Sequence, residues 1–292
     1  MDIAALQSFV SVAELGSFSR AAESLHLSQP AVSKRIAGLE DSLDTRLFDR
    51  IGRQIRLTGA GQALLPRARR ILLEVQDSQR AIHNLSGAIS GRLSIGTSHH
   101  IGLHRLPAAL RRFNAAYPEV ELDLHFMDSE QACAAVEHGD LELGVVTLPL
   151  EPAPGLLLEP LWQDQLRFVV SPQHPLGGAE HCPADKLAEW PAILPAEGTY
   201  TRTVLENALR PHRINLQVRM STNYLETIKM MVSIGLGWSI LPHTMVDEQV
   251  HVLEVEGMRL QRQLGMVRHT GRTLSNAAGA FIRTLQQFSE KM

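Results

Sequence analysis

"LSQPAVSKRIAGLE", Leu27–Glu40, joins a helix start to an unusually polar tip. Ser28 is a good N-cap, and Pro30 falls in the first turn, where a missing N–H costs nothing. Val32, Ile36, Leu39 and Leu43 recur at helical spacing and predict one buried face. Gln29, Ser33, Lys34 and Arg35 gather on the other side, at the N-terminal end. An amide, a hydroxyl and two cations in that position ask for a polar partner.

The neighbouring segments give this helix a setting. Upstream, Asp2–Leu15 places Ile3, Leu6, Phe9, Val10 and Ala13 on one helical face, with Asp2 as cap and Gly16 as stop. Ser17 caps a short second helix whose packed face is Ala21, Ala22 and Leu25. Small alanines permit close approach, as a helix-turn-helix needs, and "LHLS" supplies the tight turn into Leu27–Glu40. Downstream, "DTRLFDRIGRQIRLTGAG" holds two short extended stretches around Gly52, which predicts a two-stranded β-wing.

A long helix is predicted from Thr58 to Ser86, a rod of about 44 Å at the standard rise. Leu64, Ala68, Ile71, Val75, Ser78, Ile82 and Leu85 follow a heptad rhythm, the pattern of a helix packed along a partner helix. The alternative is a helix folded onto its own domain; little neighbouring sequence is left to cover it, which favours dimerisation.

After the hinge "SGAISGRLSIG", strands and helices alternate. Strands are predicted at 92–97, 120–126, 143–147, 166–171, 192–194, 215–220, 238–241 and 263–268, and helices at 104–116, 129–138, 201–210, 224–234 and 274–290. Such alternation predicts α/β halves with largely parallel sheets, where ligands bind beyond the carboxyl ends of strands.

Composition sets the outer limits. The chain has 292 residues, 44% hydrophobic and 20% charged. No apolar run reaches membrane-span length, and the N-terminus lacks the basic flank of a signal peptide, so a cytoplasmic location without membrane contact is expected. Cys133 and Cys182 have no CxxC or metal spacing and are expected to be reduced. The net charge is −3, yet residues 1–90 sum to +2 and the remainder to −5. That asymmetry permits a DNA-binding N-terminal module without requiring one.

The segments "FVSVAELGSFSRAAESLHLSQPAVSKRIAGLEDSLDTRLFDR" and "RLTGAGQALLPRARRIL" resemble the LysR-type transcriptional regulators, and weaker marks continue in "LPAALRRFNAAYP", "HGDLELGVV", "SPQHPL" and "IGLGWSILP". The resemblance implies a winged helix-turn-helix at 1–58 and a dimerising linker helix with hinge at 59–90. It also implies an α/β effector-binding domain at 91–292, similar to periplasmic binding proteins. One subdomain would hold 91–160 and 267–292, and the other 161–266. The implied partners are double-stranded promoter DNA, a small-molecule effector, a second copy through the linker helix, a tetramer built from such dimers, and RNA polymerase. No cofactor is implied.

By that resemblance Gln29, Pro30, Ser33, Lys34 and Arg50 match DNA-contact positions. Their chemistry agrees: Gln29 can offer a bidentate amide to adenine, and Lys34 suits guanine or phosphate. Arg35 suits phosphate or the linker helix. Arg53, like Arg50, flanks the wing turn and suits backbone or minor-groove contact. Ser98, His100, Ser129, Thr147 and Thr199 fall at positions facing the cleft between subdomains, and Ile101 completes that stretch. Arg202 could add a countercharge or point to solvent. Hydroxyls at helix starts suit a small anion, although Asp128 beside Ser129 cuts against one unless it only caps a helix. His99, His100 and His104 invite a metal reading, but adjacent histidines project differently and no cysteine or clear carboxylate cluster completes a set in the sequence. No metal site is therefore expected. No nucleophile elbow or triad pattern is present, so a regulator is expected and an enzyme is not.

Overall fold

The computed structural model describes residues 1–51, 54–151, 153–178 and 181–289. It divides into two compact units, Met1–Ser86 and Gly87–Met292.

In the first unit, α1 (Ile3–Leu15) is capped by Asp2, whose carboxylate accepts from the Ala5 N–H at 2.7 Å, and it stops at Gly16 in the left-handed conformation. Ser17 caps α2 (Phe18–Ser24), and Ser28 caps α3 (Gln29–Leu43). The turn between them carries His26 at φ 53°, a conformation that non-glycine residues adopt in tight turns. Phe9, Val12, Ala21, Val32, Ile36 and Leu39 form the core with Leu47 and Phe48. Leu43 does not join it, being 39% exposed. The inner place on α3 goes to Glu40, whose carboxylate accepts the Leu47 N–H at 2.7 Å and binds the Arg46 guanidinium at 2.9 Å. The chain must turn out of α3 toward the wing here, and a buried acceptor for those N–H groups fixes that turn better than a fourth apolar contact.

The wing pairs β1 (Phe48–Ile51) antiparallel with β2 (Gln54–Leu57). The turn at Gly52 and Arg53 lies outside the described residues. Thr58 then caps α4 (Gly59–Asn84), which is 26 residues and about 39 Å long. Gly61 is required at its start, since a Cβ there would sit 2.3 Å from the Leu47 carbonyl oxygen. The alternative of a helix folded onto its own domain describes the first half of α4. Leu64, Leu65, Ala68, Ile71 and Leu72 pack against the N-terminal core, and Arg69 pairs with Glu14 of α1 at 2.8 Å. The far end differs: Ile82 is 71% and Leu85 86% exposed.

The second unit is built on a seven-stranded sheet. Its first part alternates β3 (Gly91–Thr97), α5 (His99–His104), α6 (Pro107–Ala116), β4 (Val120–Phe126), α7 (Ser129–His138) and β5 (Leu143–Thr147). The long β6 (Leu156–Val170) leads into β7 (Ala192–Leu194), α8 (Tyr200–Leu209), β8 (Val218–Ser221), α9 (Leu225–Ser233), β9 (Ser239–Pro242) and β10 (His251–Leu253). Then β11 (Leu260–His269) returns to α10 (Asn276–Ser289). The strand order is β10-β6-β11-β5-β3-β4, with β9 also on β6 and a separate parallel pair β7-β8.

The sheet is mixed, not largely parallel. Only β4-β3-β5 run parallel within it, while β11 pairs antiparallel with β6 along its whole length, from Leu260–Leu166 to His269–Leu156. These two strands pass from one hydrophobic cluster, around Ile95, Phe113 and Phe281, into another around Phe168, Leu194 and Trp238. Chain direction is therefore set by crossing between the two cores. β6 starts ten residues before the predicted strand, because "PLWQDQ" interrupts the apolar pattern. The helix predicted at 104–116 is α6, which begins at Pro107, while a separate α5, not expected from the sequence, precedes it just after β3; Pro107, lacking an N–H, opens α6 instead of prolonging α5.

Candidate DNA-reading helix and effector cleft

Gln29, Pro30 and Lys34 stand exposed at the start of α3, while Ser33 and Arg35 are half-buried beside them. The Gln29 amide donates to Ser33 Oγ at 3.4 Å, so the two polar groups present together. Arg35 borders a recess with Met1 and Asp2, next to the start of α1. Arg50 lies in β1 opposite Ile55, and Arg53 is outside the described residues.

In the second unit a small cavity of about 50 Å³, partly open to solvent, lies between the two cores. Ser98, His100, Ser129, Thr147 and Thr199 line it. Ile101 is fully buried in the core beside it, and the Arg202 guanidinium is taken up by Glu206 at 2.7 Å and the Pro195 carbonyl at 3.4 Å. Neither of these two lines the cavity. Helices α5, α7, α8 and α9 all begin at this wall, so N–H groups without a partner within their own helix and positive dipole ends converge there. Ser129 Oγ accepts the Thr147 N–H at 3.1 Å, which leaves its own hydrogen to donate. Thr199 is spent on capping: it accepts from the Arg202 N–H and donates to the Ala196 carbonyl.

Four polar residues of the wall, Glu130, Thr201, Asn223 and Arg262, escaped the sequence reading. Arg262, on β11, faces Asp164 of β6 in register; its Nε donates to Asp164 at 2.7 Å and its Nη1 to Thr201 at 2.6 Å. The remaining Nη2 is buried without a hydrogen-bond partner among the described residues. Asn223 bridges the cavity, donating to Asp128 at 2.8 Å and accepting from the Ala196 N–H. Glu130 accepts the Tyr200 N–H at the start of α8, and burial raises its carboxyl above the usual glutamate value. Both acidic groups of the wall are thus engaged, Asp128 as a bridge and Glu130 as a cap.

A signal for the Arg262–Asp164 pair existed. "WQDQL" at 162–166 and "LQRQL" at 260–264 alternate identically, which puts Asp164 and Arg262 on apolar faces. Two lone opposite charges at equivalent buried positions of two strands are a pairing cue.

The three histidines have different settings. His99 stacks with Tyr224 (ring centroids 4.8 Å) and Phe126 (5.4 Å). His100 is buried, and that burial, reinforced by nearby Arg262, lowers its imidazole to about 3, so it is neutral at physiological pH. His104 reaches Glu226 of α9 at 3.2 Å. Both cysteines are free and buried, and burial pushes the Cys133 thiol up to about 11, so its reactive thiolate is scarce near neutrality. No helix of the described residues is long and apolar enough to cross a membrane.

Comparison with known proteins fits both regions. Residues 3–62 match the model for the bacterial regulatory helix-turn-helix protein, lysR family, and residues 86–290 match the LysR substrate binding domain. A probable RuBisCO transcriptional regulator of Synechocystis is 32% identical over 289 residues, covering 95% of this chain and 84% of the relative. An uncharacterized HTH-type transcriptional regulator of Azotobacter vinelandii is 66% identical over 107 residues, 37% of this chain and 74% of its own length. Full-length CbnR, solved with its target DNA, superposes with a TM-score of 0.62 at 21% identity, over 99% of this chain and 100% of its own. These matches, together with a capped helix-turn-helix and two α/β cores around one cavity, show that this chain is a LysR-family DNA-binding transcriptional regulator with an effector-binding domain.

Proposed function

We propose that this regulator binds promoter DNA through the tip of α3 and that its effector is a small anion held between the two cores. The observation that carries the second part is Arg262 Nη2, a buried cationic donor left without a partner among the described residues, at a wall where helices begin. An unpaired buried donor is costly, and an oxyanion is the ligand that relieves the cost best. Ser98 supports this reading, since it precedes α5 without a side-chain capping bond and keeps its hydroxyl available. Ser129 and the α7 amides add further donors.

On the DNA side, Gln29, Ser33 and Lys34 would meet base edges, with Pro30, Arg35, Arg50 and Arg53 at the flanks and backbone. The exposed Ile82 and Leu85 support dimerisation through the far end of α4, two such dimers making a tetramer. Ligand occupancy would bias the spacing of the two cores and so the placement of the DNA-reading units, and through them the contact with RNA polymerase in the cytoplasm.

The test is a panel of small carboxylic and phosphorylated acids screened by melting temperature. At least one acid should raise the melting temperature of the wild-type protein and fail to raise that of Arg262→Lys, whose ammonium lacks the guanidinium fork. An uncharged ligand that stabilises both proteins equally would overturn the anionic reading.

A further inference from the structure

One nitrogen each of His100 and His104 and a carboxylate oxygen of Glu226 lie within 4.8 Å of one another. The histidines stand one turn apart on α5, with ring centroids 4.9 Å apart. Glu226 comes from the first turn of α9, whose neighbours Leu225 and Ile228 belong to a different hydrophobic cluster from that of Ile101. His100 is only 4% exposed, and neither of its ring nitrogens has a hydrogen-bond partner among the described residues. A buried imidazole idle at both nitrogens needs an explanation, and a bound ion is one of the few available.

We propose that His100, His104 and Glu226 form a binding site for a divalent transition cation of the zinc class, clasping α5 to α9. Two imidazoles and one carboxylate are the donor set such ions prefer, whereas magnesium and calcium prefer oxygen alone. Histidines four residues apart on a helix present both rings on one side. Bond lengths near 2.0–2.1 Å place tetrahedral ligand atoms roughly 3.4 Å apart. His104 and Glu226 already approach to 3.2 Å, and both are exposed enough to adjust. The nearby cations Arg105 and Arg262 do not oppose the ion with full charge, because Asp164 lies 3.9 Å from one and 2.7 Å from the other. His100 also lines the effector cavity, so the fourth coordination position is left to water or to an oxygen of a cavity ligand. The cation ties together elements packed in different hydrophobic clusters and holds the cleft near its present separation. None of this depends on the charge of the effector.

The experiment uses untagged full-length protein stripped with a chelator and titrated with cobalt(II) alone, followed by its visible ligand-field bands, then with zinc in competition. One equivalent of cobalt per chain is expected, displaced by zinc and not by excess magnesium. His104→Ala and Glu226→Gln should each weaken cobalt binding by more than about 10-fold, since even outer-shell changes reach that size. Both positions are exposed, so the fold should survive, as unchanged circular dichroism would verify. His125→Gln, on β4 beside Asp123, should leave the titration unchanged. Wild-type protein that takes up no stoichiometric cobalt, or variants that bind as the wild type does, would overturn the site. Loss with His104→Ala but not with Glu226→Gln would overturn the clasp.

Discussion

The tip of α3 and the wall of the cleft are both polar surfaces, but they are assembled in opposite ways. The tip comes from seven consecutive residues on one capped helix, and its side chains lean outward over an apolar core. The wall draws single residues from chain segments more than 160 positions apart, from Ser98 to Arg262. At the tip, among the described residues, the polar groups are largely unengaged, Gln29 reaching only Ser33. At the wall most are already tied to one another, Arg262 to Asp164, Asn223 to Asp128, Glu130 to the Tyr200 N–H. A change at the tip should therefore cost affinity and leave the fold intact, whereas a change at the wall should cost both.

The largest expected effect lies in the wall. Arg262→Met leaves the buried Asp164 carboxylate with only the more distant Arg105, and removing one partner of such a pair costs about 3–5 kcal/mol. Denaturant unfolding checks this, and adding Asp164→Asn should restore most of the loss. A drop below about 1 kcal/mol, the size of an exposed pair, would mean that water reaches the pair and that the wall is as loosely built as the tip.

Next comes the tip. Gln29→Ala with Lys34→Ala should weaken operator binding by about 100-fold or more in a gel-shift titration, at roughly 1–3 kcal/mol for each lost base contact. The melting temperature and the response to cavity ligands should not change. A double variant that retards its operator normally would move the reading surface elsewhere on the first unit.

Glu40 sharpens the comparison, because it is a wall-like residue within the tip's own helix. Glu40→Ala strands the Leu47 N–H and should destabilise the first unit by about 1–3 kcal/mol, with the second unit's transition unmoved in calorimetry.

The smallest effect concerns pH. Because burial raises the folded-state value of Glu130, this group binds more protons folded than unfolded just above 4.5. Its contribution to stability is full below that pH and is lost as pH rises through the raised value. Glu130→Gln keeps the acceptor for Tyr200 and should flatten that decline. Identical stability–pH curves for the two proteins would place Glu130 in an ordinary aqueous setting.

How much was legible follows the same division. The caps Asp2, Ser17, Ser28 and Thr58, the strands at 120–126 and 143–147 and the helix at 129–138 could be read because their signals lie within a few residues. Leu43 was misplaced because helical period alone does not reveal where the chain leaves the helix, and Glu40 answers to that exit. The first half of β6 was missed because its buried Asp164 looks like a loop residue until Arg262 is seen opposite it. The histidines 99, 100 and 104 gave no metal set along the chain, since the carboxylate that approaches them is 122 residues further on.

By itself the sequence determined the helix-turn-helix and the polar tip of α3, because caps, helical period and turn residues act over a few positions. It also determined that an α/β domain follows, through the alternation of strand and helix patterns. Only the tertiary structure decided the mixed sheet, the Arg262–Asp164 pair and the meeting of His104 with Glu226. Those depend on which strands cross between the two cores and in what register, and pairing over such distances is fixed by the packing of the whole domain.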